Sequence, residues 1–126
     1  MALEFEDVAQ ERQYLRGIEL FNAREFWASH EAWEEIWLNV DGVESDFYQG
    51  LIQSAAALLK YQRNELEPAL RLYELAKVKL DHCPDTFKRL NVREFQQRMA
   101  ECFASPLAGA AAPVDPALIP VLKLDD

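Results

Sequence analysis

His30 and Glu34 stand four residues apart in the segment Phe26-Trp27-Ala28-Ser29-His30-Glu31-Ala32-Trp33-Glu34-Glu35-Ile36-Trp37, a spacing that puts an imidazole and a carboxylate on one helix face. Such a pair can supply two ligands to a divalent metal, as the histidines of an H-E-x-x-H helix do. It can equally form a buried His–Glu hydrogen bond that fixes helix packing. With about 100° of rotation per residue, Phe26, Trp33 and Trp37 fall within about 60° of His30 on one side, and Trp27 and Leu38 within about 80° on the other. Both polar groups then sit mid-stripe among aromatics, where a carboxylate without a partner is costly. His30 and Glu34 are therefore expected to be mostly buried and bonded to each other, or to Gln49 or Gln53. On that reading Glu34→Ala costs about 1–3 kcal/mol through partners left unsatisfied. Glu31 lies at the margin of the stripe, a general base if it faces a cleft and a solvated side chain otherwise. Phe26, Trp27, Trp33 and Trp37 line a ligand pocket on one reading and form a hydrophobic core on the other.

The next apolar stretch carries the remaining polar candidates. Phe47, Leu51, Ile52, Ala55, Leu58 and Leu59 form an apolar arc, with Gln49, Gln53 and Lys60 grouped on the opposite side. Periodicity alone makes that polar stripe a solvated face. Gly50, Ala56 and Ala57 border it, however, and small residues let another helix approach closely. The preceding helix packed there would bring Gln49 or Gln53 to His30 and Glu34. Asp81-His82-Cys83-Pro84-Asp85 holds ligand-capable groups in a turn without shared geometry, so it reads as a helix end, with His82 complementing the C-terminal dipole. Cys83 and Cys102 make no metal-spaced pair and are expected to be reduced thiols near helix ends. Ser, His and Asp are all present, but no G-x-S-x-G elbow supports acyl transfer.

These residues need helices to hold them. Val8, Tyr14, Leu15, Ile18 and Phe21 give the stripe of a first helix over about Asp7–Ala23, and the histidine segment predicts a second over about Arg24–Leu38. Asn39 to Ser45 reads as a loop in which Gly42 can take positive φ, with Ser45 or Asp46 capping a third helix, about Asp46–Arg63. A fourth, about Glu67–Asp81, tolerates Pro68 in its first turn. Asn91 caps a fifth, to about Ala104, with Val92, Phe95, Met99, Cys102 and Phe103 inward. Short connections between five helices predict a single-domain, all-α, up-and-down bundle over residues 1–104. Pro106, Pro113, Pro116 and Pro120 exclude a long helix in residues 105–126. That segment is expected to be a Pro/Ala-rich extended tail, its apolar Ala117–Leu124 part ordered against the bundle or a neighbouring subunit.

Composition bounds the partners. At 126 residues and 50% hydrophobic the chain suits one domain with a real core. A net charge of −9, with no Lys/Arg-rich run, argues against nucleic acid as a partner. No apolar run reaches the roughly 18 residues that span a bilayer, so no membrane is expected. The acidic opening MALEFEDVAQER lacks an apolar signal core, which gives an expectation of a cytoplasmic protein.

Phe21-Asn22, the Phe26-to-Trp37 segment and Phe47-Tyr48-Gln49-Gly50-Leu51-Ile52-Gln53-Ser54-Ala55-Ala56-Ala57 together resemble the signature of the domain of unknown function 309 family. That pattern reads F-N, then F-F-E-A-H-E-x-x-E-x-x-W, then F-x-Q-G-L-I-Q-x-A-A, and the resemblance covers roughly residues 14 to 81. It implies a small all-α bundle of bacteria or archaea with no assigned activity. His30, Glu31, Glu34, Trp37, Gln49, Gly50 and Gln53 match the motif positions. Two departures stand out. The family often places a histidine near Lys60 and an Arg-Gly-Asn before the fourth helix, whereas here Arg63 and Asn64 abut. The expected function is a non-enzymatic binding or accessory module with a buried His/Glu/Gln cluster, self-associating as a homo-oligomer, its small ligand unnamed and no cofactor required. The alternative is a metal-dependent hydrolase with His30 and Glu34 as ligands.

Overall fold

Apolar residues at three- and four-residue spacing build five helices in the computed structural model, which describes residues 8–125: α1 Val8–Asn22, α2 Phe26–Trp37, α3 Gly42–Gln62, α4 Leu66–Asp81 and α5 Val92–Leu107. The all-α bundle expected from the sequence is what forms. Successive helices α1 to α4 pack side by side, and α5 closes the core through Phe95 against Phe21 and Phe103 against Tyr61 and Tyr73. Tyr14, Phe21, Phe26, Trp33, Phe47 and Tyr48 are its largest fully buried aromatics. The Asp7 start expected for α1 lies outside the described residues.

Three helix ends share one device. Glu25 N–H reaches Leu20 O and Arg24 N–H reaches Phe21 O, with Arg24 at φ +67°. Asn64 at φ +60° and Gly109 at φ +91° occupy the same place after α3 and α5. This paired bonding satisfies carbonyls that a helix end otherwise leaves open. Asn64 thus stands in a left-handed position that usually calls for glycine, and asparagine tolerates it best after glycine.

The boundaries differ from expectation in two places. α3 begins at Gly42 rather than near Asp46, following Asp41 with Gly42 at φ +61°, and Ser45 accepts a hydrogen bond from Trp37 Nε1–H at 3.0 Å instead of capping the helix. α5 runs through Pro106 to Leu107 rather than stopping at Ala104. A proline in the last turn removes only the donor for one carbonyl, and Gly109 then ends the helix. Asn91 caps α5 as expected, its side chain accepting from Glu94 N–H at 3.0 Å.

A small hairpin was not legible in the sequence. β1, Thr86–Phe87, pairs antiparallel with β2, Leu90–Asn91, across a two-residue turn of Lys88 and Arg89 at φ +48° and +67°. Two left-handed residues match a type I′ turn, normally Asn-Gly or Asp-Gly. Residues 115–125 lie back along the bundle, opening with a 3-10 turn at Pro116–Leu118. Ile119, Pro120 and Leu122 are buried, while Leu118 and Val121 face outward. Asn22 grips Leu122 twice, donating to its carbonyl at 2.9 Å and accepting from its N–H at 2.7 Å. Leu124 bridges Leu90, and Arg89 O accepts from Asp125 N–H at 2.7 Å.

Candidate functional site

The buried face of α2 is set by its smallest side chains. Ser29 donates to Gly17 O at 2.9 Å, and Trp33 Nε1–H donates to Tyr14 O at 3.2 Å. A methyl on Gly17 would lie 2.1 Å from that indole nitrogen, so only glycine lets α1 and α2 come this close. Phe26, Ser29, Ala32, Trp33 and Ile36 therefore face the core. Their arc is centred about 100° from His30 by helix geometry, so His30 sits outside its middle, beside Phe26 at its edge. Trp27 and Leu38, expected in the stripe, lie outside it at 60% and 68% exposure. Large apolar side chains point to a stripe centred on His30, whereas burial follows Ser29 and Ala32, which cost little space.

His30 Nε2 lies 3.1 Å from Glu34 Oε2. The histidine side chain is 22% exposed and the carboxylate 43%, so the pair spans the boundary between core edge and water. The Trp27 ring lies against the imidazole, centroids 5.1 Å apart at 39°. Neither group bonds to Gln49 or Gln53. Both glutamines are half-buried on α3, and Gln53 Oε1 and His30 Nδ1 are buried atoms without hydrogen-bond partners. Glu31 faces solvent. Of the four aromatics, Phe26 and Trp33 belong to the core, Trp37 is half-buried with its N–H on Ser45, and Trp27 stands outside. Glu34→Ala is accordingly expected to cost only about 0.5 kcal/mol, because a half-exposed i, i+4 pair is screened by water. Urea denaturation reads this directly, and a loss above about 2 kcal/mol would mean the carboxylate is effectively buried.

Among the described residues no group of three or more His, Cys, Asp or Glu side chains converges as a metal site. His30 and Glu34 thus offer two donors where a closed zinc site takes four. The other candidates resolve into structure. His82 Nδ1 and Lys79 Nζ approach opposite oxygens of Asp46 at 3.3 and 3.6 Å, tying the end of α4 to α3. Cys83 and Cys102 are free and buried, and desolvation pushes both thiols up to about 11, which keeps them protonated and unreactive.

A second polar cluster surrounds the hairpin turn. Lys88, in the hairpin turn, is 0% exposed. Its Nζ lies 3.5 Å from Glu44 Oε2 and 3.5 Å from Gln10 Oε1, and 5.4 Å from the Phe87 ring centre. Tyr14 OH donates to Lys88 O at 3.0 Å. The adjacent Tyr48 hydroxyl is buried without a hydrogen-bond partner, and desolvation raises its pKa far above the ordinary range, with Tyr14 and Glu44 adding to the rise. No local signal marks Lys88, since its partners come from α1 and α3.

A family model described as "Domain of unknown function (DUF309)" matches residues 14–72, a span that contains His30, Glu34, Gln49 and Gln53 and stops short of Lys88. The resemblance drawn from the motifs is borne out over that span. The chain is also 26% identical over 104 residues to an uncharacterized protein of Aquifex aeolicus (strain VF5). That match takes in 82% of this chain and 30% of the other, so the chain spans less than a third of that relative's length.

Proposed function

We propose that this chain is a helical binding module without catalysis of its own, and that it recognises a protein partner through the outer edge of α2. The observation that carries this reading is Trp27, exposed to 60% although it is among the largest apolar side chains present. Its ring rests on His30, which in turn is held by Glu34, so the indole is presented on a braced platform. Exposed tryptophans of this kind supply much of the energy of protein interfaces. Leu38 lies about 20° from Trp27 around the helix and widens the apolar edge. Glu31 between them gives it an acidic margin, suited to a partner with apolar and basic groups. The greater length of the Aquifex relative supports a module that works within or beside larger chains.

The metal-dependent hydrolase reading keeps one favourable observation, the 3.1 Å approach of His30 to Glu34. Two measurements separate the readings. Calorimetric titration with zinc or manganese is expected to show no stoichiometric site, and one equivalent bound by the chain but not by His30→Ala would favour the hydrolase. Cell proteins retained on the immobilised chain are expected to be lost with Trp27→Ala. Equal retention by both forms would remove the α2 edge from recognition.

A further inference from the structure

A cavity of about 230 Å³ opens where α4, packed closely along α3, diverges from α5. Tyr73, Ala76, Leu80, Met99 and Ala100 make its walls apolar, and Ser54 lies at its base. The charged groups at its mouth are already paired. Lys77 Nζ donates to Asp81 at 3.1 Å, Gln96 donates to the same carboxylate at 2.8 Å, and Arg93 Nε donates to Asp85 at 3.0 Å. The mouth therefore has no free charge to select an ion.

Two hydroxyls within the cavity are not equivalent. Ser54 spends its proton on Gly50 O at 2.8 Å and keeps lone pairs for a donor. Tyr73 is 6% exposed as a residue, its hydroxyl has no hydrogen-bond partner among the described residues, and that oxygen is not fully buried, so it reaches water. Its ring is fixed by stacking on Phe103, centroids 4.7 Å apart at 9°. Desolvation raises its pKa, so the phenol stays a proton donor at any physiological pH. A donor met by water at the wall of an apolar cavity can exchange that water for a ligand oxygen that accepts in its place.

We propose that this cavity is a binding site for a small, neutral, single-ring aromatic molecule bearing one hydroxyl, its oxygen accepting from Tyr73 and its ring lying against Met99 and Leu80. Size supports a single substituted ring, since an apolar cavity of about 150 Å³ already takes benzene. A thioether beside an aromatic ring adds a favourable contact. The site is separate from the α2 edge and does not depend on it.

The probes are 4-methylphenol and its hydroxyl-free counterpart toluene, added to the full chain with its methionine methyls labelled for NMR. The sequence holds only two methionines, so the Met99 signal is identified by elimination of Met1. Saturable movement of the Met99 methyl is expected with both probes, with 4-methylphenol binding more tightly. Tyr73→Phe retains the stack on Phe103 and is expected to weaken 4-methylphenol about 2- to 12-fold, the range of one net hydrogen bond, while leaving toluene unchanged. Ala100→Phe, at the cavity's exposed rim, is expected to narrow the mouth and weaken both. No saturable binding, binding that leaves Met99 unmoved, or a Tyr73→Phe effect that does not separate the two probes overturns the proposal. If Ala100→Phe fails to fold, the Tyr73→Phe comparison decides alone.

Discussion

Trp33→Ala is expected to lower stability by about 3–5 kcal/mol, the usual cost of emptying a large aromatic site in a core. The indole is fully buried, touches Phe21 at 5.9 Å between centroids and gives its N–H to Tyr14 O. Its neighbours Gly17 and Ser29 have no atoms to spare for filling the space. The reverse insult is expected at Gly17. A methyl there would meet the indole at 2.1 and 2.5 Å, and overpacking of this kind costs about 1–3 kcal/mol. That outweighs the gain of about 1 kcal/mol from replacing glycine in a helix. The double variant should be less damaged than the sum of the two, because the new methyl occupies part of the vacated site. Equilibrium denaturation of the four proteins measures this. A stabilised Gly17→Ala protein would show that α1 and α2 are not in contact as described.

Lys88→Met is expected to cost about 3 kcal/mol, the lower end of the range for removing one partner of a buried ion pair. The lower end applies because the Glu44 side chain is 26% exposed and regains some hydration when its partner goes. Methionine preserves most of the apolar stem between the Phe87 and Tyr48 rings, so the loss reports charge and not packing. Adding Glu44→Leu removes the stranded carboxylate and is expected to recover part of the loss, since apolar replacement of both partners is often neutral. An unchanged denaturation midpoint for Lys88→Met would show that the ammonium contributes nothing to the fold.

Local chemistry was enough for the helices and several of their ends. The 3.6-residue stripes of α1 and α5, Asn91 ahead of α5 and Pro68 in the first turn of α4 all act through residues within a turn or two of themselves. The pairing of His30 with Glu34 is of the same kind, because helical rise and rotation bring i and i+4 together whatever lies outside.

Which side of α2 faces inward was a different matter. Its periodicity allowed a stripe centred on His30, and the choice fell to the contact of Ser29 and Trp33 with Gly17, residues that meet only once α1 lies against α2. Small side chains carry little hydrophobic signal, yet they decide how near two backbones can come. The hairpin and its buried lysine go further. Lys88 draws on Gln10 and Tyr14, 78 and 74 residues away, and on Glu44. The sequence by itself determined the elements and the pairs within them, through interactions that one helical turn can reach. The tertiary structure alone decided which polar groups leave water, because that depends on side chains brought together from distant parts of the chain.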